Sequence, residues 1–337
     1  MGKYYIKFGI SDKPNAGAKA MHDIMNLLNK HGYRPVLSLP TNAIKLIKII
    51  DIPILIFTIL FKIRRNGTLI YFVPSNTKRI RLLQIMQHYL GFKLICFIND
   101  IEFMRMERNQ AQANEEIKAI SAANIILVPN YNSVNILQKA YNMTQILIPI
   151  CVWDYLSPTY INDSKYNKDI AFAGNLSKAP FIKQLPKVSL SFSIWGRKDE
   201  SIKETFNIIF HGERKPNELI NEIALCAWGL VWDGESIDTC SGLLGNYLRF
   251  NNSHKCGLYL AAGIPLIVWK ESGMAHFVNE NKVGICVESL YEAESFIKNM
   301  NEDTYNKYRN NAQRIGENIR HGHYFLEALK KAESISL

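Results

Sequence analysis

The chain has six cysteines, and no two of them form a Cys-x-x-Cys pair. Cys96, Cys151, Cys226, Cys240, Cys256 and Cys286 are scattered, mostly beside apolar residues, so buried free thiols in a reducing compartment are expected rather than a disulfide frame or a zinc site. No His/Asp/Glu/Cys group has metal-ligand spacing. A full Gly-x-Gly-x-x-Gly is missing, which argues against a dinucleotide cofactor. Zinc-finger spacing, an RRM-type aromatic motif and a helix-turn-helix pattern are all missing too, which disfavours nucleic acid as a partner. Met1 to Gly9 holds no apolar region ahead of a cleavage site, so no secretory signal is expected. Repeats and low-complexity tracts are absent.

What is present is 337 residues with 47% hydrophobic and 21% charged content, enough for two domains with real cores. The net charge of +10 is uneven. Residues 1–150 hold 19 Lys/Arg against 8 Asp/Glu, whereas residues 151–337 hold 21 against 22. A one-sided field draws acidic partners or serves only as a solvated face. The apolar run Ile52–Phe61, followed by Lys62, Arg64 and Arg65, is too short for a bilayer span of about 20 residues. It reads as a core helix, an oligomer interface or a surface for weak peripheral contact with anionic lipid.

Strand and helix patterns alternate along the chain. Strands are expected at 4–9, 34–39, 68–73, 92–98, 124–128 and 145–150, with helices at 16–30, 43–61, 78–90, 109–122 and 131–141. Residues 152–168 break the rhythm and read as a linker. The alternation then resumes, with strands at 169–173, 190–195, 206–211, 229–232, 266–269 and 283–287 and several helices up to 333. Two doubly wound α/β halves result, with domains at 1–152 and 169–319 and a last helix near 320–337 that can pack back on the first. A ligand is expected in a cleft between the halves, at the carboxyl ends of the strands.

Asn251-Asn252-Ser253-His254-Lys255-Cys256-Gly257-Leu258-Tyr259-Leu260-Ala261-Ala262-Gly263-Ile264-Pro265 followed by Leu266-Ile267-Val268 is the most informative stretch. It reads as a helix capped by Asn252 or Ser253, closed by Gly263 in a left-handed turn, and followed by a buried strand. A helix start bearing Lys255 suits an anion. Gly174-Asn175-Leu176-Ser177-Lys178 follows a strand and precedes an expected helix, so backbone can approach a diphosphate there, with Lys178 adding charge. His211-Gly212 ends another strand. Asp233–Phe250 is a long insert, functional or mobile, in which Asp238, Thr239 and Ser241 are candidates for sugar hydroxyls. In the first half, Ser11, Asn15 and Gly17 form a small-residue floor after the first strand. Asn99-Asp100-Ile101-Glu102, followed by Arg105, ends another, and Asp100, then Glu102, is a candidate base for an attacking hydroxyl. Each of these also fits a plain turn or a capping role.

These segments, with Gly229-Leu230-Val231-Trp232-Asp233-Gly234 and Val283-Gly284-Ile285, resemble the GT-B glycosyltransferases. They are most similar to the accessory glucosyltransferases that glycosylate serine-rich repeat adhesins, and galactofuranosyltransferases share much of the pattern. The resemblance covers most of residues 4–320. It implies two Rossmann-like domains facing a cleft, with UDP-glucose as a substrate and no other cofactor. It implies an N-acetylglucosamine already linked to Ser/Thr of a protein as acceptor, and a cytoplasmic homo-oligomer, dimer or tetramer. Carried onto this chain, the donor is bound by Gly174, Asn175, Lys178, His211, Gly212, Asp238, Thr239, Asn251, Asn252, Ser253, His254 and Lys255. The acceptor is bound by Ser11, Asn15, Gly17, Asp100, Glu102 and Arg105, with Asp100 and Lys255 catalytic. With no Asp-x-Asp in the chain, the lysines and the helix start would take the place of a metal ion at the leaving phosphate. Leu258 stands where many retaining relatives carry a ribose-binding Glu, so stereochemistry cannot be carried over. A non-catalytic glycan-binding subunit of a transferase complex is the alternative from another class.

Overall fold

A computed structural model describes residues 2–6, 16–36, 45–63, 67–74, 77–106, 108–158, 168–197, 202 and 204–336. The chain forms two compact units, Met1–Ile150 with Phe325–Leu337, and Cys151–Tyr324.

The first unit runs β1 (Lys3–Tyr5), α1 (Ala16–Lys30), β2 (Arg34–Pro35), α2 (Lys45–Thr58) passing into a π turn (Ile59–Ile63), β3 (Thr68–Val73), α3 (Thr77–Leu90), β4 (Lys93–Ile98), α4 (Glu102–Arg105), α5 (Gln110–Ile120), β5 (Ile125–Val128), α6 (Tyr131–Tyr141) and β6 (Ile146–Pro149). All its strands are parallel, in the order β2-β1-β3-β4-β5-β6. Every residue of β3 is buried, which is why it appears in the sequence as an unbroken apolar run rather than an alternation. The last helix of the chain belongs to this unit. Lys93 Nζ donates to the carbonyls of Ala332, Glu333 and Ile335 at its end, at 3.1, 2.5 and 2.6 Å, and Tyr33 Oη donates to Glu333. A cation is favoured there because the last carbonyls of a helix have no partners of their own.

The second unit holds β7 (Ile170–Ala173), 3-10 turns at Leu176–Lys178 and Pro180–Lys187, β8 (Phe192–Trp195), β9 (Ile208–Gly212), α7 (Pro216–Ile223), β10 (Trp228–Val231), α8 (Gly242–Tyr247), α9 (His254–Ala261), β11 (Leu266–Trp269), α10 (Ala275–Asn281), β12 (Gly284–Val287), α11 (Leu290–Asn299) and α12 (Glu302–Arg320); α13 (His323–Ser334) returns to the first unit. The parallel order is β12-β11-β10-β7-β8-β9. Winding runs outward from β7 in one direction and from β10 in the other, so the topological switch lies between these two neighbours. Ligands of open α/β sheets bind beyond the carboxyl ends of strands at such a switch.

Three sequence expectations are corrected here. The segment after Asn175 is 3-10 rather than α-helical, because Pro180 and Pro186 remove amide donors from it. The insert 233–250 is packed rather than loose: it contains α8, and Ile237, Cys240, Tyr247 and Leu248 are buried. Val152, Trp153 and Asp154, expected to begin a linker, are buried too; Asp154 Oδ1 accepts from the Tyr324 amide at 3.3 Å. The cysteines are free, as expected, with Cys96, Cys226, Cys240 and Cys256 buried.

Candidate functional site

Lys255 lies at the switch point of the second unit. Its Nζ donates to Asp233 Oδ1 at 2.9 Å and reaches the Trp232 carbonyl at 3.5 Å, just past the end of β10. It also stands over the Phe172 ring, 5.0 Å from the centroid, and a Cβ on Gly174 would come within 3.2 Å of its Cε. Phe172 lies near the end of β7 and Gly174 just past it. The side chain therefore spans the two strand ends, and Gly174 leaves room for it. Lys255, expected as a cation suited to an anion, is ion-paired here because the carboxylate 22 residues upstream lands beside it.

The placement of Lys255 depends on how tightly α9 packs. A Cβ on Gly229 in β10 would lie 2.3 Å from the Tyr259 ring, and one on Gly257 would lie 2.3 Å from the Trp153 carbonyl. Tyr259 Oη accepts from the Ala173 amide at 2.9 Å, tying α9 to the end of β7. The C-terminus closes as the sequence expects. Gly263 takes φ +76°, its amide bonds to the Leu260 carbonyl, and the Ile264 amide bonds to the Tyr259 carbonyl. The N-terminus differs from expectation: Ser253 is the N-cap residue, but its side chain makes no capping bond. The hydroxyl is thus not committed to the first-turn amides, which are the groups an anion would use. Asn252 is buried, Asn251 Oδ1 is buried without a partner, and the His254 ring lies 4.5 Å from that of Trp153. Leu258, at the position of the missing Glu, is buried in the apolar cluster beneath.

At the ends of β8 and β9 the His211 imidazole stacks on Trp195, with centroids 4.5 Å apart and planes 13° apart, and its Nε2 is buried without a partner. Trp195 Nε1 donates to Glu222 at 2.7 Å, and Arg214 Nε donates to the other carboxylate oxygen at 2.6 Å. Burial works against ionisation of Glu222, but these two donors, with His211 nearby, hold it below the usual carboxylate range. Gly212, at φ +75°, accepts from the Gly196 amide at 3.0 Å. Asn175 is occupied locally: its Oδ1 takes the Ser177 amide and hydroxyl at 3.2 and 2.8 Å. Lys178 is exposed. Asp238 is exposed and accepts from the Ser236 hydroxyl at 2.8 Å, while Thr239 is half-buried. Sequence reasoning missed Asp233 as the partner of Lys255, the Trp195–Glu222 pair, and Ser272, whose buried Oγ is unpartnered beyond the end of β11. Only its position after a strand could have signalled Ser272.

In the first unit the candidate carboxylates are each held by an arginine. Asp100 Oδ2 accepts from Arg105 Nη1 at 2.7 Å, and Glu102 pairs with Arg108. Glu116, which the sequence did not single out, is buried. It accepts from the amides of Glu102 and Phe103 at 2.7 and 2.9 Å, closing the start of α4. Burial raises its pKa against the pull of these two bonds. A cavity of about 240 Å³ lies at the end of β3, lined by Val73, Pro74, Glu102, Arg108, Gln112, Glu115, Glu116 and Ala119. Gly17 is exposed in the first turn of α1, and Ser11 and Asn15 lie outside the described residues. Among the described residues no group of three or more His, Cys, Asp and Glu side chains could hold a metal ion. No described helix is long and apolar enough to cross a membrane.

Comparison with known proteins fits this geometry. The chain is 26% identical to beta-1,6-galactofuranosyltransferase WbbI of Escherichia coli strain K12 over 333 residues, covering 97% of each. It is 26% identical to Glucosyltransferase 3 of Streptococcus gordonii over 241 residues, 71% of this chain and 70% of that one. Among solved structures, Anabaena HepE in complex with UDP and glucose superimposes with a TM-score of 0.61 at 14% identity, covering 99% of both chains. Sucrose-phosphate synthase from Thermosynechococcus elongatus reaches 0.63 at 10% identity, covering 99% of this chain and 98% of that one. At these identities the two structures speak for the fold alone, which is GT-B. The model of the Glucosyltransferase 3-like N-terminal domain matches residues 3–149 and that of the C-terminal domain residues 170–332, so the chain belongs to the Glucosyltransferase 3-like family of glycosyltransferases.

Proposed function

We propose that the protein transfers glucose from UDP-glucose to an N-acetylglucosamine already linked to Ser or Thr of a serine-rich repeat adhesin, without a metal ion. The observation that carries this reading is Lys255, set across the ends of β7 and β10 next to a helix start whose N-cap residue, Ser253, makes no side-chain capping bond. The diphosphate displaces Asp233 from the ammonium group and takes the first-turn amides of α9, and Lys178 adds charge from the 3-10 turn. The base lies against His211 and Gly212, and Asp238 and Thr239 take sugar hydroxyls. A UDP-sugar donor is supported by the solved HepE complex with UDP and glucose, and glucose as the transferred sugar by the relationship to Glucosyltransferase 3.

In the reaction an acceptor hydroxyl attacks the anomeric carbon. The bond from that carbon to the diphosphate oxygen breaks, and UDP leaves with the electron pair. Lys255 and the amides stabilise the charge growing on the leaving oxygen, the role a metal ion fills elsewhere. Asp100 takes the hydroxyl proton once Arg105 gives up one of its oxygens, and Glu102 and Arg105 face the acceptor sugar. The enzyme acts in the cytoplasm as a homo-oligomer.

Calorimetric titration with UDP tests the donor site; absence of binding at millimolar UDP removes the reading. A transfer screen over several nucleotide sugars, with a GlcNAc-bearing peptide as acceptor and with and without EDTA, tests donor, acceptor and metal independence together. A second reading, galactofuranosyl transfer to a polysaccharide or lipid-linked chain, is favoured by the match to WbbI, which extends over nearly the whole of both chains. Turnover of UDP-galactofuranose but not UDP-glucose in the same screen would establish it.

A further inference from the structure

The helix α2 and the π turn after it have two unlike faces. Leu55, Ile59 and Ile63 are buried in the cluster that covers one side of the first sheet, together with Ile80, Leu83 and Met86 of α3. Ile54, Phe57, Leu60 and Phe61 point the other way, at helical spacing, and are exposed; Phe57 and Phe61 keep 59% and 61% of their surface in solvent. Their rings touch, with centroids 4.4 Å apart. α3 packs on the same cluster and shows a second outward stripe, Arg81, Ile85 and Tyr89, with Tyr89 80% exposed. Isolated exposed apolar residues need no explanation, but a contiguous group with two aromatic rings does.

Charge decides what covers this face. From Lys45 to Leu90, the span of α2, the π turn and α3, the sequence has eight Lys/Arg and one acidic residue, Asp51. Lys62 on the π turn and Arg81 on α3 are exposed. A second copy presenting the same face would bring like charges together, whereas an anionic surface is complementary. The combination of outward Phe, Leu and Ile with a rim of Lys and Arg is that of helices lying in the plane of a bilayer interface. No described helix is long and apolar enough to pass through one. We propose that this face of the first unit docks on an anionic lipid bilayer. Phe57 and Phe61 enter the boundary between headgroups and acyl chains, and Lys62 and Arg81 rest against lipid phosphates. The proposal does not depend on the donor or acceptor assigned above.

Flotation of the full chain with vesicles of phosphatidylcholine, with and without phosphatidylglycerol, tests it at low salt. The wild-type chain is expected to float with the anionic vesicles and to stay behind with the neutral ones. Phe57→Ser with Phe61→Ser lowers the partition coefficient by about tenfold or more, given the apolar area withdrawn from lipid. Lys62→Gln and Arg81→Gln lower it by about fivefold each. All four side chains are in solvent, so thermal melts and UDP titrations of these variants are expected to match the wild type. Phe57→Trp adds a fluorophore whose emission shifts to the blue on anionic vesicles only. The proposal is overturned if the wild-type chain does not float, if the Phe57→Trp emission does not move, or if neither pair of substitutions weakens binding. It is also overturned if sedimentation shows a dimer that Phe57→Ser with Phe61→Ser takes apart while vesicles remain unbound, which would make the face an interface between copies.

Discussion

The two six-stranded parallel sheets differ in strand order and in the charge of the halves that hold them, and in neither half does that charge predict the candidate site. The first half holds 19 Lys/Arg against 8 Asp/Glu, yet the groups at its strand ends with proton-accepting chemistry are the carboxylates Asp100, Glu102 and Glu116. The second half is nearly balanced, 21 against 22, and at its switch point it places a single lysine. Totals of charge therefore describe surfaces, such as the outward side of α2, and say little about a site. What a site needs is one group of the right sign held by packing. Tyr259, Gly174 and Gly229 provide this for Lys255, and Arg105, Arg108 and the first amides of α4 provide it for the carboxylates.

The strongest way to break this contrast is to remove the lysine. Lys255→Ala is expected to lower kcat for sugar transfer by about a thousandfold, the upper end of what one charge-stabilising group contributes to a transition state. Lys255→Arg is expected to rescue little, since the side chain must pass under Gly174. Unchanged activity of an assembled transferase system that carries the Lys255→Ala protein would instead favour a binding subunit. Next in size is Asp100→Asn, expected to slow transfer by about a hundredfold while leaving the affinity for UDP unchanged, because the proposed proton acceptor is lost while the proposed nucleotide site is built from residues of the other unit. Parallel loss of UDP affinity would refute the division of labour between the halves.

The parts of this arrangement legible in sequence are those determined by neighbours along the chain. The buried strands β3, β4, β5, β7, β8, β10 and β11 fall within a few residues of where the apolar runs place them, because a strand covered on both faces shows burial as an unbroken run, while residues 7–9 and 37–39 of the first two expected strands lie outside the described residues. Helix α9 and its closing turn were readable from Gly263-Ile264-Pro265 for the same local reason. The site was less legible because its partners are distant in sequence. Asp233 meets Lys255 because α9 packs back on β10 across the insert between them, and Lys255 reaches Phe172 and Gly174 only because β10 lies beside β7, an order that no local pattern encodes. The stack of His211 on Trp195 requires β8 and β9 to be neighbours in register, and Glu116 closes α4 from the helix that follows it. The unused Ser253 side chain shows the opposite failure, where a local rule predicts a cap that the folded chain does not make.

A smaller test concerns packing rather than charge. Gly229→Ala places a methyl group 2.3 Å from the Tyr259 ring, and overpacking of this kind costs about 1–3 kcal/mol. Tyr259→Phe removes the acceptor of the Ala173 amide and costs about 1 kcal/mol. Both are expected to lower the denaturant midpoint of the second unit, with Gly229→Ala also weakening UDP binding, since α9 must move outward and carry Lys255 with it. An unchanged midpoint for Gly229→Ala would mean that α9 is not held by this contact.

The smallest expected effects are also the sharpest on the contrast between halves, because two glutamates respond to pH in opposite senses. Glu222 in the second unit is held below the ordinary carboxylate range; burial opposes this, and the Trp195 and Arg214 donors outweigh it. A depressed carboxylate contributes stability that is present above its unfolded pKa and lost as pH falls through the folded one. Glu116 in the first unit is raised by burial, so its contribution is present below the unfolded pKa and lost as pH rises through the folded one. Glu222→Gln is therefore expected to cost stability near neutral pH and nothing once the carboxylate would be protonated. The cost is small because the side chain is one-third exposed and screened by solvent. Glu116→Gln is expected to gain on the wild type as pH rises. Urea midpoints measured across the carboxylate range for both variants give the two slopes. Slopes of the same sign would mean that the amides of α4, not burial, govern Glu116, and the first unit would then hold its carboxylates ready in the charged form, as the second holds Glu222.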